Sequence, residues 1–206
     1  MLSIAVFASG RGSNFQALAD AITGENLDAK IVVVISNNSE AGALALARLL
    51  HIPALHLSQK QFPSQEVFTA AILSALESHG VDFIVLAGYM KKIDPKIIRR
   101  YHNKIVNIHP ALLPAFGGHG MYGHFVHEAV IASGALHSGA TVHIVNEEFD
   151  RGPIVLQESV PVEKDDTAET LAEKVLRIEH RILPRAVGLF AANKISIENG
   201  KVTIRD

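Results

Sequence analysis

The chain has no cysteine, which removes a disulfide framework and any zinc or redox site built on thiolates. Positive charge is not in excess either, with 19 Lys and Arg against 21 Asp and Glu and a net charge of -2. A protein that lives on phosphate-backbone contacts normally shows a basic balance, so nucleic acid is not an expected partner. No apolar stretch approaches a membrane span. No charged start, apolar run and cleavage site precedes the first strand, and the expected location is therefore the cytoplasm. No repeat, low-complexity tract or charge block interrupts the 206 residues, a length that buries a sizeable core as a single domain, 1–206.

Two further gaps concern motifs. Ser9 to Asn14 (SGRGSN) is a glycine-rich turn between a strand and a helix, but Phe15 stands where a dinucleotide fingerprint has its third glycine. The second strand ends in Ser36-Asn37-Asn38 instead of the acid that would hold a ribose, and a nicotinamide or flavin cofactor is disfavoured. Seven of the 11 histidines lie between His102 and His143, so a metal site has to be considered. His127-Glu128 begins like the zinc-protease helix motif, but Ile131 occupies the position of the second ligand. His124 and His127 are expected on the exposed side of a helix, and no metal is expected.

What is present alternates. Leu2–Ala8, Lys30–Ser36, Pro53–Leu57, Asp82–Leu86 and Ile105–Ile108 are short apolar runs that suit strands buried on both faces. Between them Ala41–Leu50 and Ser64–His79 read as helices, the latter closed by Gly80, and 95–100 as a short one. This pattern predicts an α/β fold, an open, mostly parallel twisted sheet with helices on both faces. In such sheets ligands bind beyond the carboxyl ends of the strands. Thr167–Asn193 is a long helical region containing Pro184. Ile195–Ile204 forms a terminal hairpin around Asn199-Gly200, an antiparallel element in the C-terminal half.

The chemistry concentrates around KIVNIHPALLPAFGGHGMYG, residues 104–123. Asn107 and His109 are two apart on a strand and leave by the same face, and Pro110 stops that strand. Two polar side chains therefore converge at a strand's carboxyl end. The glycines at 117, 118, 120 and 123 suggest a mobile covering loop. Gly12, Ser13 and Asn14 can bring backbone N–H groups and a helix N-terminus to a phosphate, Ser13 or Asn14 also serving as a cap. Tyr89, Met90 and Ile93, flanked by Lys91 and Lys92, can wall a flat, acid-tailed ligand. Beyond the strand around Thr141, His143 and Val145, the acids Glu147, Glu148 and Asp150 crowd ahead of a Gly-Pro break.

These residues resemble the phosphoribosylglycinamide formyltransferases, folate-dependent enzymes of purine synthesis. The likeness runs through FASGRGSNFQAL, LAGYMKKI, VNIHPALLPAFGG, HSGATVHIVNEEFDRGPIV and EHRILPRAV, and covers the whole chain. It implies a Rossmann-like formyltransferase fold, with 1–100 as the phosphate- and nucleotide-binding half and 101–206 as the catalytic and folate-binding half. The implied reaction moves a formyl group from 10-formyltetrahydrofolate, a cosubstrate, to the amine of glycinamide ribonucleotide, with no tightly bound cofactor and in a monomer or homodimer. By the same resemblance Asn107 and His109 polarise the formyl group and stabilise its oxyanion. Asp150 orients His109, and a neighbouring carboxylate is expected to raise the histidine's pKa. Gly12, Ser13 and Asn14 hold the substrate phosphate and Glu179 the ribose. Met90, Lys91, Lys92 and Ile93, with Asn107, Val145, Asn146 and Glu147, line the folate pocket. Lys91 stands where the family often has arginine.

Relatives that share the Asn, His and Asp use other acceptors. A methionyl-tRNA formyltransferase is expected to carry an extra C-terminal domain, and a 10-formyltetrahydrofolate deformylase an added N-terminal one. The deformylase is the alternative reading, and a non-catalytic nucleotide-binding module the next.

Overall fold

The computed structural model describes residues 1–24 and 27–205. Its strands and helices run β1 (Leu2–Phe7), α1 (Ser13–Gly24), β2 (Ala29–Ser36), α2 (Gly42–Leu49), β3 (Ala54–His56), α3 (Gln65–Ser78), β4 (Phe83–Leu86), α4 (Pro95–Arg100) and β5 (Ile105–His109). They continue with α5 (His124–Ser133), β6 (His137–Ile144), β7 (Ile154–Pro161), α6 (Ala168–Ala191), β8 (Ile195–Glu198) and β9 (Lys201–Ile204). Hydrogen bonding orders a seven-stranded sheet as β3-β2-β1-β4-β5-β6-β7, with β8 and β9 forming a separate pair. The mostly parallel α/β architecture read from the apolar runs is the one observed. The chain divides into two compact units, Met1–Val106 and Asn107–Asp206.

In the first unit β1 pairs in parallel with β2 on one side and β4 on the other, and β2 pairs in parallel with β3. Such strands need both faces covered. Ile4, Ala5, Val6 and Phe7 are accordingly fully buried, as are Val33, Val34 and Ile35. Because the chain leaves β1 toward β2 and leaves β4 on the opposite side toward β5, the carboxyl ends of β1 and β4 form a topological switch point, where two loops diverge and leave a crevice. The helices start where local chemistry lets them. Ser64 Oγ accepts the Val67 N–H ahead of α3, and Asp94 accepts the Lys96 N–H ahead of α4, which has Pro95 in its first turn.

The second unit is built on the antiparallel pair β6 and β7. Helix α6 opens on a reciprocal capping box between Thr167 and Thr170 and packs against β6, β7 and α5. Its buried stripe of Leu171, Val175, Ile178, Ile182 and Ala186 recurs at three- and four-residue spacing. The expected terminal hairpin is present as β8 and β9, paired antiparallel around Asn199 and Gly200, both at positive φ.

Candidate functional site

The two loops leaving the switch point are tied to each other by Ser9. Its N–H donates to the Gly88 carbonyl at 3.0 Å. Its hydroxyl accepts the Met90 N–H at 2.8 Å and donates to Asn37 Oδ1 at 2.5 Å, so one side chain gathers the ends of β1, β2 and β4. Within the first loop Gly12 has φ +88. A Cβ there would sit 2.9 Å from Ala43 Cα, so the turn requires glycine twice over. The Gly12 carbonyl accepts the Gln16 N–H, which makes Gly12 the cap of α1. Ser13 and Asn14, expected as candidate caps, lie inside the first helical turn. The first backbone N–H groups of α1 therefore belong to residues predicted to meet a phosphate.

The second loop leads into a groove of 430 Å³ lined by Lys91, Lys92 and Ile93 from this loop and by Lys60, Gln59, Ser58, Asn37 and Phe68. Three lysines thus border it together with the Asp94 carboxylate and Gln65, and Phe68, Ile93 and Pro95 are its apolar part. Lys60 and its neighbours escaped the sequence reading because they come from a different connection, 57–64, with no motif of its own. Met90 is 51% exposed and is not part of the lining.

In the second unit Asn107 and His109 lie on β5 as their spacing predicted, His109 being 3% exposed. His143, on β6, joins them. Asn107 Nδ2 and His143 Nε2 are 3.1 Å apart, and His143 Nδ1 lies 2.9 Å from the Ile144 carbonyl. A carbonyl only accepts, so Nδ1 carries the hydrogen; in the neutral ring Nε2 accepts from the Asn107 amide, and in the cation it faces Asp150 as a donor. This leaves the amide's second N–H for another acceptor. His143 was not among the predicted residues. The available signal was its place beside Thr141 as a second polar side chain on one face of an apolar strand.

Asp150 reaches both histidines. Its Oδ2 is 3.8 Å from His109 Nδ1 and its Oδ1 is 3.5 Å from His143 Nε2. The backbone there is left-handed, with φ +54, a conformation that aspartate tolerates better than most residues. Gly118 N donates to Oδ2 at 2.8 Å. Burial pushes the Asp150 carboxyl up, but the His143 side chain, the Gly118 N–H and the nearby histidine charges outweigh it, and its pKa is lowered overall.

His109 departs from expectation. Burial lowers its pKa and is the largest influence. The Asp150 charge and the Phe116 carbonyl raise it, His143 lowers it further, and the net shift is downward from 6.5. The neighbouring carboxylate therefore does not raise the pKa overall, because desolvation of the ring exceeds the attraction of a charge held at 3.8 Å.

One other expectation changes. His127 is buried, at 5% exposure, and its pKa falls to about 4 through burial and the charges of His124 and His109. Only His124 is on the exposed side, pairing with Glu128. The segment after His109 is pinned at its start. Thr141 Oγ donates to the Ala111 carbonyl and accepts from Leu113 N, while Gln157 donates to the Leu113 carbonyl. Of the remaining predicted residues, Val145, Asn146 and Glu147 follow β6 directly, Val145 half-buried and the other two exposed. Glu179 is buried on α6.

A formyl transferase family model matches residues 2–187. The chain is 42% identical over 193 residues to the chloroplastic phosphoribosylglycinamide formyltransferase of Arabidopsis thaliana, covering 93% of this chain and 66% of that protein. It therefore spans slightly less than two thirds of that relative's length. It is 36% identical to the phosphoribosylglycinamide formyltransferase of Bacillus subtilis, covering 91% of this chain and 93% of the relative. Among solved structures it is similar to glycinamide ribonucleotide transformylase 1 of Symbiobacterium toebii, with a TM-score of 0.94, 39% identity and coverage of 100% and 95%. A formyltetrahydrofolate deformylase of Pseudomonas syringae is more distant, with a TM-score of 0.89 and 26% identity, this chain covering 66% of it. The glycine-rich turn, the lysine-bordered groove and the Asn107, His109 and Asp150 cluster are thus carried by a chain that belongs to the formyl transferase family, and within it to the phosphoribosylglycinamide formyltransferases.

Proposed function

We propose that this chain transfers a formyl group from 10-formyltetrahydrofolate to the amine of glycinamide ribonucleotide, a step of purine synthesis. The observation that carries the reading is the meeting of Asn107, His109 and Asp150, with His143, within one partly buried cluster in a chain of this family. The amine nitrogen attacks the formyl carbon, the carbonyl oxygen takes the negative charge, and the bond from carbon to the folate nitrogen then breaks. One proton leaves the amine and one is gained by the folate nitrogen. The Asn107 amide donates to the developing oxyanion. His109, whose depressed pKa keeps it neutral near pH 7, accepts the amine proton and then, as a cation, donates. Asp150 stabilises that cation and orients the ring.

The remaining assignments follow from local chemistry and resemblance. Gly12, Ser13 and Asn14 bind the substrate phosphate through the helix start, and Glu179 binds the ribose. Lys91, Lys92 and Ile93 take the folate with its acidic tail, joined by Met90, Asn107, Val145, Asn146 and Glu147. The formyl donor is a cosubstrate and no cofactor is retained. We place the protein in the cytoplasm. No helix among the described residues is long and apolar enough to cross a membrane.

The likeness to a deformylase supports hydrolysis of the formyl donor as a second reading. Purified protein should release tetrahydrofolate from 10-formyltetrahydrofolate only when glycinamide ribonucleotide is present. Equal release without the ribonucleotide would establish the hydrolase, and no release under either condition would leave a binding module.

A further inference from the structure

Phe116 is one of the few non-glycine residues with a left-handed backbone, at φ +54, and its carbonyl lies 2.8 Å from His109 Nε2. The segment is shaped to bring that oxygen inward. Gly117 follows, where a Cβ would meet Leu113 Cδ2 at 2.5 Å and Asp150 Cβ at 3.1 Å. Gly118 then turns its N–H onto Asp150 Oδ2. Two backbone groups, the Phe116 carbonyl and the Gly118 N–H, thus reach the two members of the His109 and Asp150 pair from either side of Gly117. A carbonyl oxygen cannot donate, so the nitrogen facing it carries the hydrogen, and a neutral imidazole has only one N–H. Nδ1 is then left with its lone pair, facing Asp150 Oδ2 at 3.8 Å.

We propose that Phe116 is a positioning residue: its left-handed backbone holds His109 as the Nε2–H tautomer and thereby makes Nδ1 the nitrogen that accepts and returns the proton of the reaction. This rests on the formyl-transfer reading for the word reaction, but the tautomer is a property of the folded chain alone. The role belongs to the backbone, since the carbonyl makes the contact. Each proton transfer then balances locally. The amine proton moves to the Nδ1 lone pair, Nε2 keeps its hydrogen on the Phe116 carbonyl, and the resulting cation faces the Asp150 carboxylate until Nδ1 gives the proton up. If Nε2 lost its acceptor, the neutral ring would be free to place its hydrogen on Nδ1 beside the carboxylate, and no lone pair would remain there to receive a proton.

The test separates backbone from side chain. Phe116→Gly occupies positive φ without strain, whereas the β-branched Phe116→Val is among the residues least able to do so. Long-range proton–nitrogen NMR of the full chain above the histidine's pKa reports which ring nitrogen of His109 is protonated. The wild type and Phe116→Gly should show the Nε2–H pattern, and Phe116→Val should show a mixture or the Nδ1–H form. In the formyl-transfer assay kcat of Phe116→Val should fall at least about tenfold below that of Phe116→Gly, with the KM for ribonucleotide matched between them. An Nδ1–H pattern in the wild type, or an unchanged pattern in Phe116→Val, overturns the assignment. So does equal kcat in the two variants despite a changed tautomer. A wild type with the Nε2–H pattern that transfers no formyl group would refute the proposed reaction and leave the tautomer assignment standing.

Discussion

His109 and Asp150 face each other through Nδ1 and Oδ2 at 3.8 Å, close enough for charge attraction and too far for a direct hydrogen bond. Asp150 is held there by its own left-handed backbone and by the Gly118 N–H. Asp150→Asn preserves what holds the residue, because asparagine also tolerates positive φ and retains an acceptor for Gly118. It removes the charge. Turnover should fall on the order of a hundredfold to a thousandfold, while thermal melting stays near that of the wild type. Full turnover with a much earlier melting transition would reduce Asp150 to a turn residue.

The depressed pKa of His109 sets the direction of the pH profile. As the proton acceptor, His109 must be neutral in the free enzyme, so kcat/KM should drop on the acid side below about 6.5. Asp150 raises the His109 pKa against burial, and removing its charge in Asp150→Asn should move that acid limb to lower pH. A profile that instead falls as pH rises through neutrality would mean that the working form is the cation.

Asn14 lies in the first turn of α1, among the groups assigned to phosphate. Asn14→Ala should raise the KM for glycinamide ribonucleotide about tenfold, the size expected of a hydrogen bond to a charged group, and leave the KM for the folate unchanged. Parallel increases in both constants would show that the residue only supports the turn.

Lys60 and Lys91 border the same groove from different connections. Both are exposed, so each should contribute little alone and in a salt-dependent way. Lys60→Ala and Lys91→Ala are each expected to raise the KM for the formyl donor about two- to fivefold, with the effect shrinking at high ionic strength. An effect confined to the ribonucleotide would place the acid-tailed ligand elsewhere.

His127 supplies a stability test away from the reaction. Its folded pKa of about 4 lies below the unfolded value of about 6.5, so the unfolded chain binds more protons between those pH values. The contribution of His127 to stability is complete above pH 6.5 and is lost as pH falls toward 4. The buried Nδ1 has no hydrogen-bond partner among the described residues, so His127→Leu forfeits none there. That variant should lose less stability than the wild type on acidification from pH 6.5 to 4, by up to roughly 3 kcal/mol, measured by urea unfolding. An identical acid dependence in both would show that His127 titrates normally.

The order of strands and helices, the glycine-rich turn and the shared face of Asn107 and His109 were legible in the residues because each is a local property. Apolar runs, glycine spacing and the two-residue repeat of a strand need no knowledge of what lies across the fold. What only the tertiary structure decided is what depends on neighbours distant in the chain. His143 enters the cluster because β6 carries it within 3.1 Å of Asn107, and Lys60 shares a groove with Lys91 because two connections meet. Phe116 matters through a backbone angle to which its side chain gives no clue. The charge state of His109 is the clearest case. The sequence put a carboxylate in its vicinity and so pointed to a raised pKa, but desolvation sums over every group that excludes water from the ring, and only the packed chain determines that sum.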